Sequence, residues 1–289
     1  MGPLVIGDAM VDRYLLGHID RFVEGGVKCI KNPEEVFVPG GAANVARNLA
    51  DLGQSSVLLC FGNRKEDPST KFLEEFFSQN KGTHLLVYGP PGYKMAVKTR
   101  IYAGPDYVVR FDTDPECIPE YTYNGNNYYT SVGDLCNFRK CIVISDYNKG
   151  AVNSTVISIA VDSGSRVIGN LKPATIKSGI AGMFLVSMNE KEFRQTGAPE
   201  NACEAWGVEY VVVTRGDKGL VVYSKSNRVT IPAKPVRVKS TVGAGDAIIS
   251  SIAVDVADGN LDITNSVMDG AVAFASKKIG TERWLVNGI

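Results

Sequence analysis

From Leu4 onward, short β-branched runs alternate with stretches of helical period, and that alternation limits what the chain can fold into. Leu4–Ile6 reads as a strand, Ala42–Leu52 as a helix closed by Gly53, and Val57–Cys60 as the next strand. Cys141–Ser145, Arg166–Ile168, Phe184–Val186 and Tyr210–Thr214 read as buried strands, with helical segments near Ser69–Ser78, Ser154–Ser163 and Asn189–Gln195 between several of them. Ala244–Ala257 and Ile263–Ile279 close the pattern as helices. Parallel strands need a crossover, and crossover helices cover both faces of the sheet, so the strands become continuous apolar runs. The expectation is an α/β fold.

Two regions break the alternation. Val27–Val38 and Lys94–Phe111 are strand-like without a following helix, and they carry turn signals at Asn32-Pro33 and Gly104-Pro105-Asp106. They predict a small β-flap beside the main sheet, serving as a lid, with segments at about 13–38 and 93–112. No internal repeat or linker-like shift divides residues 1–289, so the expectation is one domain with the lid inserted.

Composition excludes several function classes. The 31 Lys and Arg are balanced by 31 Asp and Glu, which argues against a nucleic-acid partner or a polybasic membrane surface. With 44% hydrophobic and 21% charged residues the chain can bury a large core. No run approaches the roughly 18 apolar residues of a membrane span. The opening MGPLVIGDAMVDRY lacks the basic and apolar regions of a leader, so the expected location is the cytosol (cytoplasmic). Cys29, Cys60, Cys117, Cys136, Cys141 and Cys203 form no CxxC pair and read as reduced, mostly packed thiols. With His18 and His84 as the only histidines, a His-based triad or multi-His metal site is not expected.

The most informative stretch is Ser240-Thr241-Val242-Gly243-Ala244-Gly245-Asp246, followed at once by an apolar helical run. Small residues at a helix start let backbone N–H groups crowd around an anion, where the macrodipole also favours negative charge. Asp246 falls in the first turn, where its carboxylate can take a proton from an attacking hydroxyl while the amides stabilise a transferring phosphoryl group. The pattern is equally that of a helix start with glycines for packing.

Pro39-Gly40-Gly41-Ala42-Ala43-Asn44 opens the first long helix. A ligand can approach bare backbone at Gly40 and Gly41, and Asn44 offers both a donor and an acceptor, which suits a polyhydroxylated substrate. No GxGxxG follows the first strand, which ends in Gly7-Asp8-Ala9-Met10-Val11-Asp12, so a dinucleotide oxidoreductase is the least favoured reading. Asp12 reads as a loop carboxylate beyond the strand's carboxyl end, where open α/β sheets bind ligands. Val212–Val222 reads as a β-hairpin around Thr214-Arg215-Gly216-Asp217-Lys218-Gly219. Asn189 and Glu192 read as a capping box, and the same two groups can hold waters on a phosphate-bound Mg²⁺. Ser145-Asp146-Tyr147-Asn148-Lys149-Gly150 puts an acid and a base at the same sheet edge.

In their order, GDAMVDR, PGGAANVARNLADLG, SDYNKG, NEKE, VTRGDKG and TVGAGD resemble the ribokinase-like (PfkB) carbohydrate kinase family, over about Leu4 to Thr281. Within it, GDAMVDRYLLG, PGGAANVARNLADLG, VKTRIYAGPDYVVRFD and SDYNKGA are most similar to the branch acting on D-glycero-D-manno-heptose 7-phosphate, whose kinase serves ADP-heptose synthesis. The resemblance implies a doubly wound central sheet with helices on both faces and a small β-sheet lid, with sugar bound between them and ATP as phosphoryl donor. By position it makes Asp246 the general base and Gly243, Ala244 and Gly245 the anion hole. Asp12, Gly40, Gly41 and Asn44 become sugar-binding residues. Lys172, Asn189, Glu192, Thr214, Gly216 and Gly219 fall on the nucleotide and Mg²⁺ side, with Asn189 and Glu192 acting on the metal through water. For a phosphorylated acceptor, Lys98, Arg100 and Arg110 on the lid are candidates to hold the phosphate. They read equally as solvated charge on flap strands. Exposed apolar faces on those strands would let two lids pair across a homodimer.

The chain also departs from the family pattern. Ser240 stands where many relatives carry an Asp implicated in monovalent-cation binding, so a potassium requirement does not follow from the resemblance. Asn170-Leu171-Lys172-Pro173 replaces the branch's Asp-Pro-Lys-Gly, and Asn148 replaces Gly in SDYGKG. The sequence ends at Ile289 soon after GTERW, so the kinase is expected alone, without a nucleotidyltransferase domain. Fructose 1-phosphate, ribose or a nucleoside remain alternative acceptors, and a catalytically silent sugar- or nucleotide-binding module remains an alternative role.

Overall fold

The computed structural model describes residues 2–281 apart from 90, 116–120, 124, 125, 200 and 264. Cys117 and the end of GTERW lie outside them. The chain runs β1 (Leu4–Gly7), β2 (Ala9–Gly17), β3 (Ile19–Val23), β4 (Val27–Ile30), β5 (Glu34–Gly41), α1 (Ala42–Asp51), β6 (Ser56–Phe61), α2 (Pro68–Gln79) and β7 (Thr83–Tyr88). There follow β8 (Ala96–Ala103), β9 (Asp106–Thr113), β10 (Thr122–Tyr123), β11 (Asn126–Asn127), α3 (Tyr128–Cys136), β12 (Cys141–Ser145), α4 (Ser154–Asp162) and β13 (Arg166–Asn170). The last part holds α5 (Pro173–Ser178), β14 (Leu185–Asn189), α6 (Glu190–Thr196), α7 (Ala202–Trp206), β15 (Tyr210–Thr214), β16 (Leu220–Ser224), β17 (Arg228–Ile231), α8 (Ala244–Ala257) and α9 (Asn265–Ile279).

The central sheet has the order β17-β16-β15-β14-β13-β12-β1-β6-β7. It is parallel from β15 through β7, and β15, β16 and β17 form antiparallel hairpins at one edge. Side chains alternate across its two faces as strand geometry requires. Val5 and Val143 enter one core with α1, α2, α8 and α9, while Leu4, Ile6, Ile142 and Ile144 enter the other beneath α3, α4, α5 and α7. Helix α8 is apolar on nearly all sides and is correspondingly buried, from Ala247 through Ala253 and again at Val256.

Helix starts follow local chemistry. Asp67 caps α2 by accepting from the Ser69 and Thr70 amides at 3.2 and 3.1 Å, with Pro68 beside it. Asn189 and Glu192 form the expected capping box on α6. Helix α3 and strand β7 were not legible in the sequence: Tyr-Tyr-Thr-Ser-Val-Gly has poor helix propensity, and β7 is a half-buried edge strand without clear alternation.

The lid is a second sheet of order β5-β2-β8-β9, carrying a small β3–β4 hairpin. Its first segment begins earlier than expected, at Ala9, and runs to Gly41, and its second spans β8 and β9, from Ala96 to Thr113. Gly7 looked like the end of a strand and a loop start, yet only Asp8 separates β1 from β2. Asp12 is therefore a lid-strand residue, not a loop carboxylate. At the other end β5 runs directly into α1, with the Ala42 amide donating to the Asp8 carbonyl at 3.0 Å. Gly41 makes this crossing with φ 56°, and a Cβ there would lie 2.3 Å from the same carbonyl.

Cys60, Cys136, Cys141 and Cys203 are buried free thiols, and Cys29 is a half-buried one. Burial pushes the Cys60 and Cys141 thiols up to about 12. Among the described residues no helix is long and apolar enough to cross a membrane.

Candidate active site

Two helix N-termini converge where the lid meets the sheet. Asn44 lies in the first turn of α1 and Asp246 in the first turn of α8, both almost fully buried. The Asn44 Nδ2 donates to Asp246 Oδ2 at 2.6 Å, and the Tyr147 hydroxyl donates to Oδ1 at 2.6 Å. Behind them, the Ser250 hydroxyl donates to the Asp246 carbonyl at 2.6 Å and also reaches the Val45 carbonyl at 3.2 Å. Gly243 caps α8 with φ 81°, and a Cβ there would stand 2.7 Å from Asn44 Nδ2. Only glycine meets both demands.

Gly243, Ala244, Gly245 and Asp246 line a cavity of about 740 Å³. Lys172, Asn189, Glu192, Thr214, Gly216 and Gly219 line the same cavity, so the expected catalytic and nucleotide-side residues are neighbours although they come from four parts of the sequence. They arrive there because β13, β14 and β15 are adjacent and parallel, which brings their carboxyl ends to one edge. Lys172 Nζ pairs with Glu192 Oε1 at 2.5 Å, and Glu192 Oε2 accepts from the Asn189 amide at 3.1 Å. Gly219 has a structural reason as well: with φ 80°, its Cβ would lie 2.0 Å from the Ile231 carbonyl.

The lid contributes unequally. Asp12 and Arg100 form a buried ion pair at 2.7 Å between β2 and β8. Gly40 lies against Asp12, since a Cβ there would be 3.0 Å from Asp12 Oδ2. Lys98 Nζ stands 4.8 Å from the centre of the Tyr147 ring, which brings it to the Asp246 cluster. Burial pushes the Lys98 ammonium below its usual value. Arg110 is on the exposed strand β9, where its side chain is bound to Asp112, so the structure does not bring it to the cluster. Hydrogen bonding to Asp112 raises the Arg110 value and lowers that of Asp112.

Two further residues shape the site. Asp8 accepts from the amides of Tyr147, Lys149 and Ala151 at 2.7, 3.0 and 2.9 Å, fixing the loop that carries Tyr147. Burial, opposed by those amides, raises the Asp8 carboxyl to about 6. Asp146 accepts from the Lys172 amide and the Thr175 hydroxyl at 2.9 and 2.6 Å. The motif SDYNKG marked this loop, but the reach of Tyr147 to a residue 99 positions away is a property of the fold alone. Asn148, in the place of a glycine, has φ 57°, a conformation asparagine tolerates better than most residues.

The comparisons agree with this architecture. The family model described as "pfkB family carbohydrate kinase" matches residues 122–282. The bifunctional protein HldE of Azorhizobium caulinodans is 31% identical over 296 residues, covering 96% of this chain and 61% of that protein. HldE of Caulobacter vibrioides is 27% identical over 299 residues, covering 96% and 60%. The chain thus spans about three fifths of the length of these curated relatives. In structure, phosphofructokinase-2 from Escherichia coli in complex with potassium superposes with a TM-score of 0.77 at 18% identity, covering 98% of this chain and 94% of that one. Ribokinase of Arabidopsis thaliana complexed with ribose and ATP gives 0.74 at 20% identity, covering 97% and 93%. The ribokinase-like α/β fold, the family match and the converging site lead to one conclusion: the chain belongs to the PfkB family of carbohydrate kinases, ATP-dependent phosphotransferases.

Proposed function

We propose that this kinase transfers the γ-phosphoryl group of ATP to a hydroxyl of heptose 7-phosphate, with Asp246 as general base. The observation that carries the reading is the Asp246 carboxylate, clamped between Asn44 and Tyr147 at the wall of the 740 Å³ cavity. The acceptor hydroxyl gives its proton to Asp246 as its oxygen bonds to the γ-phosphorus. The bond from that phosphorus to the β,γ-bridging oxygen breaks, and ADP leaves with the electron pair. The amides around Gly243, Ala244 and Gly245 receive the charge spread over the transferring group, and positioning supplies most of the remaining acceleration.

Asp12, Gly40, Gly41 and Asn44 hold the sugar at the junction of lid and sheet in this reading. Thr214, Gly216, Gly219 and Lys172 hold the nucleotide. Among the described residues no three His, Cys, Asp or Glu side chains cluster as a metal site, which suits an ion held mainly by phosphate oxygens and water. Glu192 and Asn189, on the cavity wall, would hold a Mg²⁺ through its waters. When bound, the ion neutralises charge on the β- and γ-phosphates. The heptose assignment is supported by the branch motifs in the sequence and by relatives named HldE.

ADP release with Mg²⁺-ATP, measured against heptose 7-phosphate, fructose 1-phosphate, fructose, ribose and adenosine, tests this. Turnover should be highest with heptose 7-phosphate and fall by about a thousandfold or more in Asp246→Asn, with ATP binding retained. Another preferred acceptor overturns the heptose assignment. ATP binding without turnover favours the silent binding module.

The outer lid face supports a homodimer, because Tyr107, Val109 and Phe111 on edge strand β9 are 53%, 47% and 49% exposed. Light scattering should give a dimer mass for the protein and a monomer mass for Phe111→Lys.

A further inference from the structure

Two tyrosines brace the loop from Asp146 to Ala151 and a third, Tyr147, belongs to it, and the three use their hydroxyls differently. Tyr121 donates to the Gly150 carbonyl at 2.8 Å and Tyr128 to the Ala151 carbonyl at 3.1 Å. Both belong to an aromatic cluster with Phe61 under the sheet. Tyr147 instead lines the cavity and directs its hydroxyl to the carboxylate of Asp246. A tyrosine present only for packing has no need of that partner.

The backbone beneath Tyr147 is fixed from both sides. Asp8 takes three of the loop's amides, while Tyr121 and Tyr128 take two of its carbonyls. The Asn148 amide folds back to Asp146 Oδ1 at 2.8 Å. A side chain mounted on such a loop can hold a carboxylate in one orientation, because its own supports are locked by hydrogen bonds. With Asn44 on Oδ2 and Tyr147 on Oδ1, the plane of the Asp246 carboxylate is set by two donors from different elements.

The ring of Tyr147 meets two cations. Lys98 Nζ comes from lid strand β8 to 4.8 Å from its centre, and Lys172 Nζ comes from the nucleotide side to 5.1 Å. Lys149, two residues on, pairs with Asp114 just after lid strand β9 at 2.6 Å. One loop therefore touches the lid, the nucleotide wall and the proposed base.

We propose that Tyr147 is a positioning residue for phosphoryl transfer: its hydroxyl orients the Asp246 carboxylate toward the acceptor, and its ring seats the ammonium groups of Lys98 and Lys172 on either substrate's side. The proposal rests on Asp246 being the base. During transfer Tyr147 keeps its proton, and Asp246 takes the proton of the acceptor.

The test compares Tyr147→Phe, Tyr147→Leu, Asp246→Asn and the Tyr147→Phe/Asp246→Asn double variant by ADP release. Each member of the acceptor panel is tried, and the acceptor carried forward is the one the wild-type protein turns over fastest. Tyr147→Phe keeps the ring and should lower kcat by about 10- to 100-fold while both KM values stay within about threefold. Tyr147→Leu loses the ring as well and should raise both KM values by about 3- to 30-fold. In the Asp246→Asn background, loss of the hydroxyl should cost no further part of the residual rate, since no base is left for it to orient.

Wild-type kcat in Tyr147→Phe overturns the proposal, as does an equal loss in both backgrounds. A lowered melting temperature with unchanged kcat for the folded fraction assigns the tyrosine a structural role and also overturns it. If Asp246→Asn keeps near-wild-type turnover, or no acceptor supports turnover in the wild type, the reading of the base fails and this proposal falls with it. If Asp246→Asn is inactive and Tyr147→Phe is normal, only this proposal fails.

Discussion

Asn44 and Asp246 are 202 residues apart in sequence, and their side chains meet at 2.6 Å. The contact joins the first turns of α1 and α8, so the motifs proposed to hold the sugar and the phosphoryl group are parts of one buried cluster.

Removing that contact should affect catalysis more than folding. In Asn44→Ala, kcat/KM should fall by about 10- to 100-fold, because a buried charge-assisted hydrogen bond is lost together with the proposed contact to the acceptor. Gly243→Ala should produce a related loss without removing any polar group. Its Cβ would press on Asn44 Nδ2 at 2.7 Å, in a backbone conformation that costs a non-glycine residue about 1–3 kcal/mol. Steady-state kinetics with urea unfolding of both variants checks the pair; normal kinetics in Gly243→Ala would show that Asn44 need not hold its place.

The Asp12–Arg100 pair separates stability from binding. Both residues are nearly fully buried, at 3% and 4% exposure, so Arg100→Met strips the buried Asp12 carboxylate of its ion-pair partner and should cost about 3–5 kcal/mol. Asp12→Leu/Arg100→Met should recover most of that loss, since an apolar pair can replace a buried ion pair. It should not recover acceptor affinity if Asp12 binds the sugar. Thermal unfolding and acceptor KM, measured together, decide between a purely structural pair and a binding one.

The parts of this site that were legible in the sequence are those whose function and local structure coincide. Glycines followed by Asp246 and an apolar run specify a helix start wherever the chain places it, and α8 begins there. Asn189 and Glu192 were legible as a capping box for the same reason. Asp12 was misplaced because its setting depends on a strand pairing: in β2 it lies opposite Val38 of β5 and Lys98 of β8, and neither partner is near it in sequence. Asp8 and Tyr147 fall within GDAMVDR and SDYNKG, but their roles gave no local signal, because each acts on groups that only the β1–β12 pairing or the packing of α8 brings within reach.

Asp8 should leave a signature in the pH dependence of stability. Its folded value, about 6, lies above the ordinary 3.8, so the folded state holds a proton that the unfolded state has released across that window. Its contribution is fully present below pH 4 and is lost as pH rises through 6. Between pH 5 and 7.5 the change amounts to roughly 1–2 kcal/mol. Urea unfolding of the wild type and Asp8→Asn at both pH values should therefore show the wild type's relative advantage shrinking by about that amount as pH rises. A constant difference would mean that the three loop amides fully offset the cost of burying the charge.

The three lid cations make a sharper prediction about the acceptor. Arg100 is committed to Asp12, and Arg110 to Asp112 on the exposed strand. Lys98 is in no salt bridge among the described residues, and burial, only partly offset by the Asp12 and Asp112 carboxylates, disfavours its charge. An anion arriving beside it restores what burial removed, so a phosphorylated acceptor gains most from this one residue. Lys98→Met should raise KM for heptose 7-phosphate by about 10- to 100-fold and leave KM for unphosphorylated heptose within about twofold. Arg110→Met should change neither. In the wild type the phosphate-specific affinity should weaken as pH rises, beginning below the range expected for an exposed lysine, because the depressed ammonium loses its proton early. Equal KM changes for both acceptors would mean that Lys98 serves the lid and not the phosphate.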